Sequence, residues 1–97
     1  MESKSHKTTA NRIAKIFQTE YNDGKGVDIK LPRAAIEVET PETVAYAPSQ
    51  LRGLRGPVFI AGTNREAVNK ALAVTRGTTI GVMDSQGNII KPSFRKK

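Results

Sequence analysis

Asp28, Glu37 and Glu39 are the residues of this chain whose type and spacing could do chemistry. They lie in the stretch GVDIKLPRAAIEVET, residues 26–40, where acids interrupt two short apolar runs. The chain has nine acidic residues against 16 lysines and arginines, and three of the nine fall here. Strand interiors disfavour Asp and, more weakly, Glu, so the placement asks for a reason. With Pro32 and Arg33 as the central residues of a hairpin turn, Leu31 pairs with Ala34, Lys30 with Ala35, and Asp28 faces Glu37. Asp28, Lys30, Glu37 and Glu39 then share one face, and Val27, Ile29, Ile36 and Val38 share the other. Directly opposed carboxylates have Cβ atoms roughly 4.5–5.5 Å apart and repel one another. A hard divalent cation would relieve that repulsion, and Mg²⁺ favours one or two carboxylates together with waters and phosphate oxygens. Such an ion also lowers the pKa of a bound water and makes it a nucleophile. Carboxylate-held Mg²⁺ or Mn²⁺ inside a basic surface points to phosphodiester chemistry, with Asp28 and Glu37 as the metal ligands. The plainer alternative is a solvated face on which Lys30 neutralises Asp28 or Glu37.

The elements that must position these acids follow from periodicity. Residues 1–7 are polar and read as a flexible tail, with Thr8 or Thr9 available to cap a helix. Ala10, Ile13, Ala14 and Phe17 recur at helical spacing, which predicts a helix fading near Gln18 or Thr19. Glu20 and Tyr21 are expected in a short extended stretch before the turn Asn22-Asp23-Gly24. The hairpin follows, and then a short helix opened by Pro48, with Leu51 and Leu54 facing inward. The apolar run of residues 57–62 reads as a strand buried on both faces. Thr63 and Glu66 have the spacing of a capping box. Ala67, Val68, Ala71, Leu72 and Thr75 form the stripe of the next helix, which Gly77 stops. Residues 78–83 read as a strand, 84–88 as a turn and Ile89-Ile90 as an edge strand. The segment 57–83 is therefore a βαβ unit with parallel strands, preceded by an antiparallel hairpin. The expected fold is a single α/β domain over residues 1–97, a mixed sheet flanked by helices, with residues 92–97 as a second flexible tail.

Composition narrows the partners. A formal charge of +7 and a pI near 10.1 on 97 residues point to a polyanion, most often nucleic acid. The absence of cysteine excludes disulfides and thiolate metal sites, and is compatible with the cytoplasm, or the host cytoplasm for a viral or plasmid protein. No apolar run reaches the roughly 18–20 residues that span a membrane, and the N-terminus lacks the apolar core of a signal peptide. His6, the one histidine, falls in the polar tail and is given no catalytic or zinc role. No Ser-His-Asp or Cys-His set is available. The aromatics are not interleaved with basic residues, and no basic recognition helix follows a short turn. Gly24-Lys25-Gly26 is too short for a P-loop, but Lys25 is placed to touch a phosphate. Arg12 and Lys15 lie off the apolar face of the first helix and extend a basic surface, to which the tail Arg95-Lys96-Lys97 adds nonspecific affinity.

Val27-Asp28, a short gap, and Glu37-Val38-Glu39 resemble the core motif of the PD-(D/E)XK nucleases, in which an Asp starts one strand and an acid-x-Lys element lies on the next. The order of elements from Thr9 to Met83 is also similar to that family's core of helix, three-strand meander, helix and strand. The nearest look is to small archaeal Holliday-junction resolvases and other restriction-endonuclease-like domains. The resemblance implies Asp28 and Glu37 as ligands of Mg²⁺ or Mn²⁺, with the Val38 carbonyl assisting. It implies that Glu39 orients or deprotonates the attacking water, or binds a second ion. Gln50 matches a helix Gln of some branches, and Arg52 and Arg55 would contact phosphates near the same end of the sheet. Val27 stands in place of the Pro that names the motif, and Glu39 stands where the Lys usually is, leaving Lys30 to supply positive charge. The first helix carries no acid in its periodic part; Glu20 lies just past it. The expected function is a metal-dependent endonuclease acting on DNA, linear or branched, as a homodimer whose two sites suit two strands. The alternatives are a nuclease-fold protein that binds nucleic acid without cutting it, and a protein-interaction module of a plasmid, virus or defence system.

Overall fold

The computed structural model describes residues 4–22, 27–51 and 56–93. Lys25, Arg52, Leu54, Arg55 and the tail 94–97 lie outside the described residues, as does most of the turn at 22–24. Five strands form one mixed sheet in sequence order: β1 (Ile29–Leu31), β2 (Ala34–Glu39), β3 (Val58–Gly62), β4 (Gly81–Met83) and β5 (Ile89–Lys91). The two outer pairs are antiparallel, while β2, β3 and β4 run parallel. The parallel strands are joined by α2 (Ala47–Leu51), which follows a 3-10 turn at Val44–Tyr46, and by α3 (Arg65–Val74). The remaining helix, α1 (Lys4–Ile16), precedes the hairpin.

Both faces of the sheet are covered, as crossover connections require. On one side Ala10, Ile13 and Ala14 of α1 pack against Ile29, Ile36, Val38, Phe59, Ala61 and Met83. On the other, Val44, Ala47, Leu51, Ala67, Val68 and Ala71 pack against Ala35, Val58, Ile60 and Val82. The alternation along β3, with Phe59 and Ala61 one way and Val58 and Ile60 the other, is the period of two made visible. Gly62 ends β3 where α3 crosses closely: a Cβ there would stand 2.6 Å from the Val68 main-chain nitrogen.

The hairpin register is the expected one, with Leu31 level with Ala34, Lys30 with Ala35 and Ile29 with Ile36. Other boundaries differ. The helix α1 starts at Lys4, ahead of the threonines expected to cap it, and Thr9 is buried in its inner face. Glu20 and Tyr21 form no strand, so the hairpin has two strands where a three-strand meander was expected; the Asn22 N–H reaches back to the Asp28 carbonyl at 2.7 Å. Val27 packs with the α2–α3 side of the core and not beside Ile29, because the chain bends at Asp28 and the alternation does not extend past it. The cap of α3 is Asn64, whose side chain accepts the Ala67 N–H at 2.9 Å. Thr63 does not cap: its N–H prolongs the sheet by donating to the Glu39 carbonyl at 3.0 Å, and among the described residues its buried hydroxyl meets no hydrogen-bond partner. The C-cap is Thr75, and Gly77 turns the chain two residues later at φ +77°.

Candidate functional site

Glu37 and Glu39 lie on the face of β2 that also carries Ala35, so they point to the side covered by α2 and α3. They are not on a solvated face: Glu37 is 7% exposed and Glu39 is 5% exposed. Asp28 sits just before β1, at the edge of the sheet, where the register carried back one residue brings it level with Glu37. Its main-chain N–H donates to Glu37 Oε1 at 3.1 Å. Its Oδ2 accepts the Val38 N–H at 2.8 Å, so the side chain takes a sheet donor that lies beyond the end of β1. Opposed acids are thereby drawn together by main-chain donors.

The electrostatic result is a raised Glu37 carboxyl. Loss of hydration raises the Glu37 carboxyl, and the hydrogen bond and charge of Asp28 raise it further, to about 8. Burial also raises Glu39 above its ordinary value, against the opposing effect of the Thr43 hydroxyl. Near neutral pH Glu37 therefore keeps its proton. On the solvent side stands Gln50 of α2. With its amide nitrogen turned to the acids, it donates to Glu37 Oε2 at 2.9 Å and to Glu39 Oε2 at 3.3 Å.

The fourth partner is one that composition and motif did not single out. His6 Nε2 lies 3.1 Å from Asp28 Oδ2, and both side chains are 13% exposed. Far from lying in a tail without a role, His6 belongs to the first turn of α1. Its signal was present in the sequence: His6, Ala10 and Ile13 fall at i, i+4 and i+7, so the apolar stripe extended back one turn includes it.

The remaining candidates disperse. Lys30 is exposed on β1, and the basic side chain that reaches Asp28 is His6. Val38, expected to offer its carbonyl, meets Asp28 through its N–H. Arg12 is half-buried and donates to the Ser85 carbonyl at 3.0 Å, which ties α1 to the turn before β5. Lys15 is exposed near the end of α1.

Asp28 and Glu37 would offer a hard cation two carboxylates, of which Glu37 is raised above all by loss of hydration. Among the described residues no three His, Cys, Asp or Glu side chains stand together as a group that could hold a metal ion. A cation here would thus take two carboxylates and complete its shell with water and substrate oxygens. Among the same residues no helix is long and apolar enough to cross a membrane. Comparison with family models, with curated proteins and with solved structures finds no match to this chain.

Proposed function

We propose that the chain is a metal-dependent nuclease with a restriction-endonuclease-like fold, acting on DNA as a homodimer. The observation that carries this reading is the contact between Asp28, just before β1, and the buried Glu37 of β2, in a chain with net charge +7. A pair that repels and is retained at a sheet edge breaks a local rule, as functional sites do. Bound between them, Mg²⁺ or Mn²⁺ would supply a water of lowered pKa and neutralise charge on the phosphate. Asp28 and Glu37 hold that position. Glu39, two residues along the same face, orients the water or takes its proton. Gln50 keeps both glutamates aligned. Lys15, Lys30 and the arginines at 52 and 55 serve the DNA backbone.

A second reading has its own support. The Gln50 amide places positive hydrogens between Glu37 and Glu39, where a countercharge would otherwise be wanted, and Glu39 cannot supply the charge of a lysine. Both features suit a nuclease-fold protein that binds nucleic acid without cutting it.

The test is cleavage of linear duplex, single-stranded and four-way-junction DNA with Mg²⁺, with Mn²⁺ and with EDTA. The nuclease reading requires metal-dependent cutting that is lost in Asp28→Asn and Glu37→Gln. Salt-dependent binding of any of these DNAs without cutting would select the second reading.

A further inference from the structure

An aspartate at the frayed start of an edge strand needs its carboxylate fixed if it is to hold anything. Asp28 lies outside β1, at a bend, and its main chain alone does not settle how its carboxylate is held. Two donors do so. Val38 of β2 and His6 of α1 both meet Oδ2, at 2.8 and 3.1 Å, so two separate elements hold one carboxylate oxygen. For the His6 contact to be a hydrogen bond, Nε2 carries the proton.

His6 is itself well held. Its ring meets Tyr21 edge-on, with centroids 5.8 Å apart and planes at 63°. Its helix is anchored by Ala10 and Ile13, both fully buried, and by Ala14 at 2% exposure. A side chain on a packed helix is a better reference point than the end of a short edge strand.

We propose that His6 is a positioning residue: from the first turn of α1 it fixes the Asp28 carboxylate by its Oδ2. The assignment deepens the reading of Asp28 and Glu37 as the reacting pair, and rests on that reading for its catalytic consequence. It makes α1 part of the site. The helix would otherwise only cover one face of the sheet, and removing its first turn would leave Asp28 with a single donor on Oδ2.

The test uses the full chain with His6→Ala and His6→Gln, since a Gln amide can still donate to Asp28. Amide hydrogen exchange is followed by NMR at Val38, with Ile60 and Val82 of the central strands as references. Metal-dependent cleavage is followed in parallel. Expected for His6→Ala is exchange at Val38 faster by about tenfold, the size of a lost hydrogen bond to a charged group. Ile60 and Val82 should be unchanged, and His6→Gln should restore Val38. If the protein cuts DNA, kcat in His6→Ala should fall about tenfold with KM for DNA unchanged, as expected for a misplaced catalytic group. Unaltered exchange at Val38 would overturn the proposal. So would a joint rise at Val38, Ile60 and Val82 that Gln does not reverse, because that would show general loosening of α1. If the wild-type protein cuts nothing, the nuclease reading fails, while exchange at Val38 still decides the role of His6.

Discussion

Asp28 Oδ2 stands 2.8 Å from the main-chain nitrogen of Val38, so a side chain completes the edge of a sheet whose outer strand starts one residue too late. The same carboxylate lies against Glu37, so one residue both repairs the sheet and loads it with charge. These effects are separable. Asp28→Asn keeps an oxygen for Val38 and removes the charge; Asp28→Ala removes both. A buried N–H left without an acceptor costs about 1–3 kcal/mol. In urea unfolding at neutral pH, Asp28→Ala is expected to be less stable than Asp28→Asn by roughly that amount. Equal stabilities would mean that the Val38 bond contributes nothing.

Glu37 sets an unusual pH dependence. Its carboxyl moves from an ordinary 4.5 to about 8 on folding. Between those values the folded chain holds a proton that the unfolded chain has released, so stability is fully present below about 4.5. It declines as pH rises and levels off above about 8. Glu39, also raised by burial, acts in the same direction. Asp84 is lowered by its hydrogen bonds with Asn88 and Gln86, despite a contrary effect of burial, and costs stability only at pH below the ordinary aspartate range. Melting followed by circular dichroism should show Tm falling between pH 5 and pH 9 by roughly 5 °C or more. In Glu37→Gln that slope should be largely lost, with the variant more stable than wild type at pH 9. A wild-type Tm that rises over the range would contradict a raised Glu37 carboxyl.

The approach of α3 to the end of β3 depends on Gly62. Its hypothetical Cβ meets the Val68 nitrogen at 2.6 Å and Val68 Cγ2 at 2.8 Å, so backbone has to move. Gly62 is also level with Glu39 in the parallel ladder, so the shift would reach the acid strand. Gly62→Ala is expected to cost about 1–3 kcal/mol by urea unfolding, as overpacking does. A neutral effect would show that α3 adjusts freely.

The parts of the fold legible in the sequence are those fixed by local chemistry. Pro32 and Arg33 punctuate a period-two pattern, so the register from Ile29 to Ile36 could be read directly. The all-apolar β3, followed by an amphipathic helix and another strand, gave the parallel unit. The parts not legible depend on contacts between distant residues. His6 falls on the apolar stripe of α1 extended back one turn, but its meeting with Asp28 across 22 positions is not written in that local pattern. Thr63 has the spacing of a cap, but the Glu39 carbonyl claims its N–H, and the cap passes to Asn64. Arg12 lies off the apolar stripe, and its hydrogen bond to Ser85, 73 positions away, has no local signal. For the acids, alternation gave the shared face of Glu37 and Glu39, but not their burial, which comes from α2 and α3 packing over that face.

The most direct test of the acid pair as a metal-holding site is the titration of the Glu37 carboxyl carbon by NMR, without and with Mg²⁺. In the absence of metal the midpoint is expected at about 8. With Mg²⁺ bound beside Asp28, the charged form gains the countercharge it lacks, and the midpoint should fall below neutrality. A midpoint near 8 that stays in place at saturating Mg²⁺ and Mn²⁺ would contradict a metal-dependent nuclease built on Asp28 and Glu37.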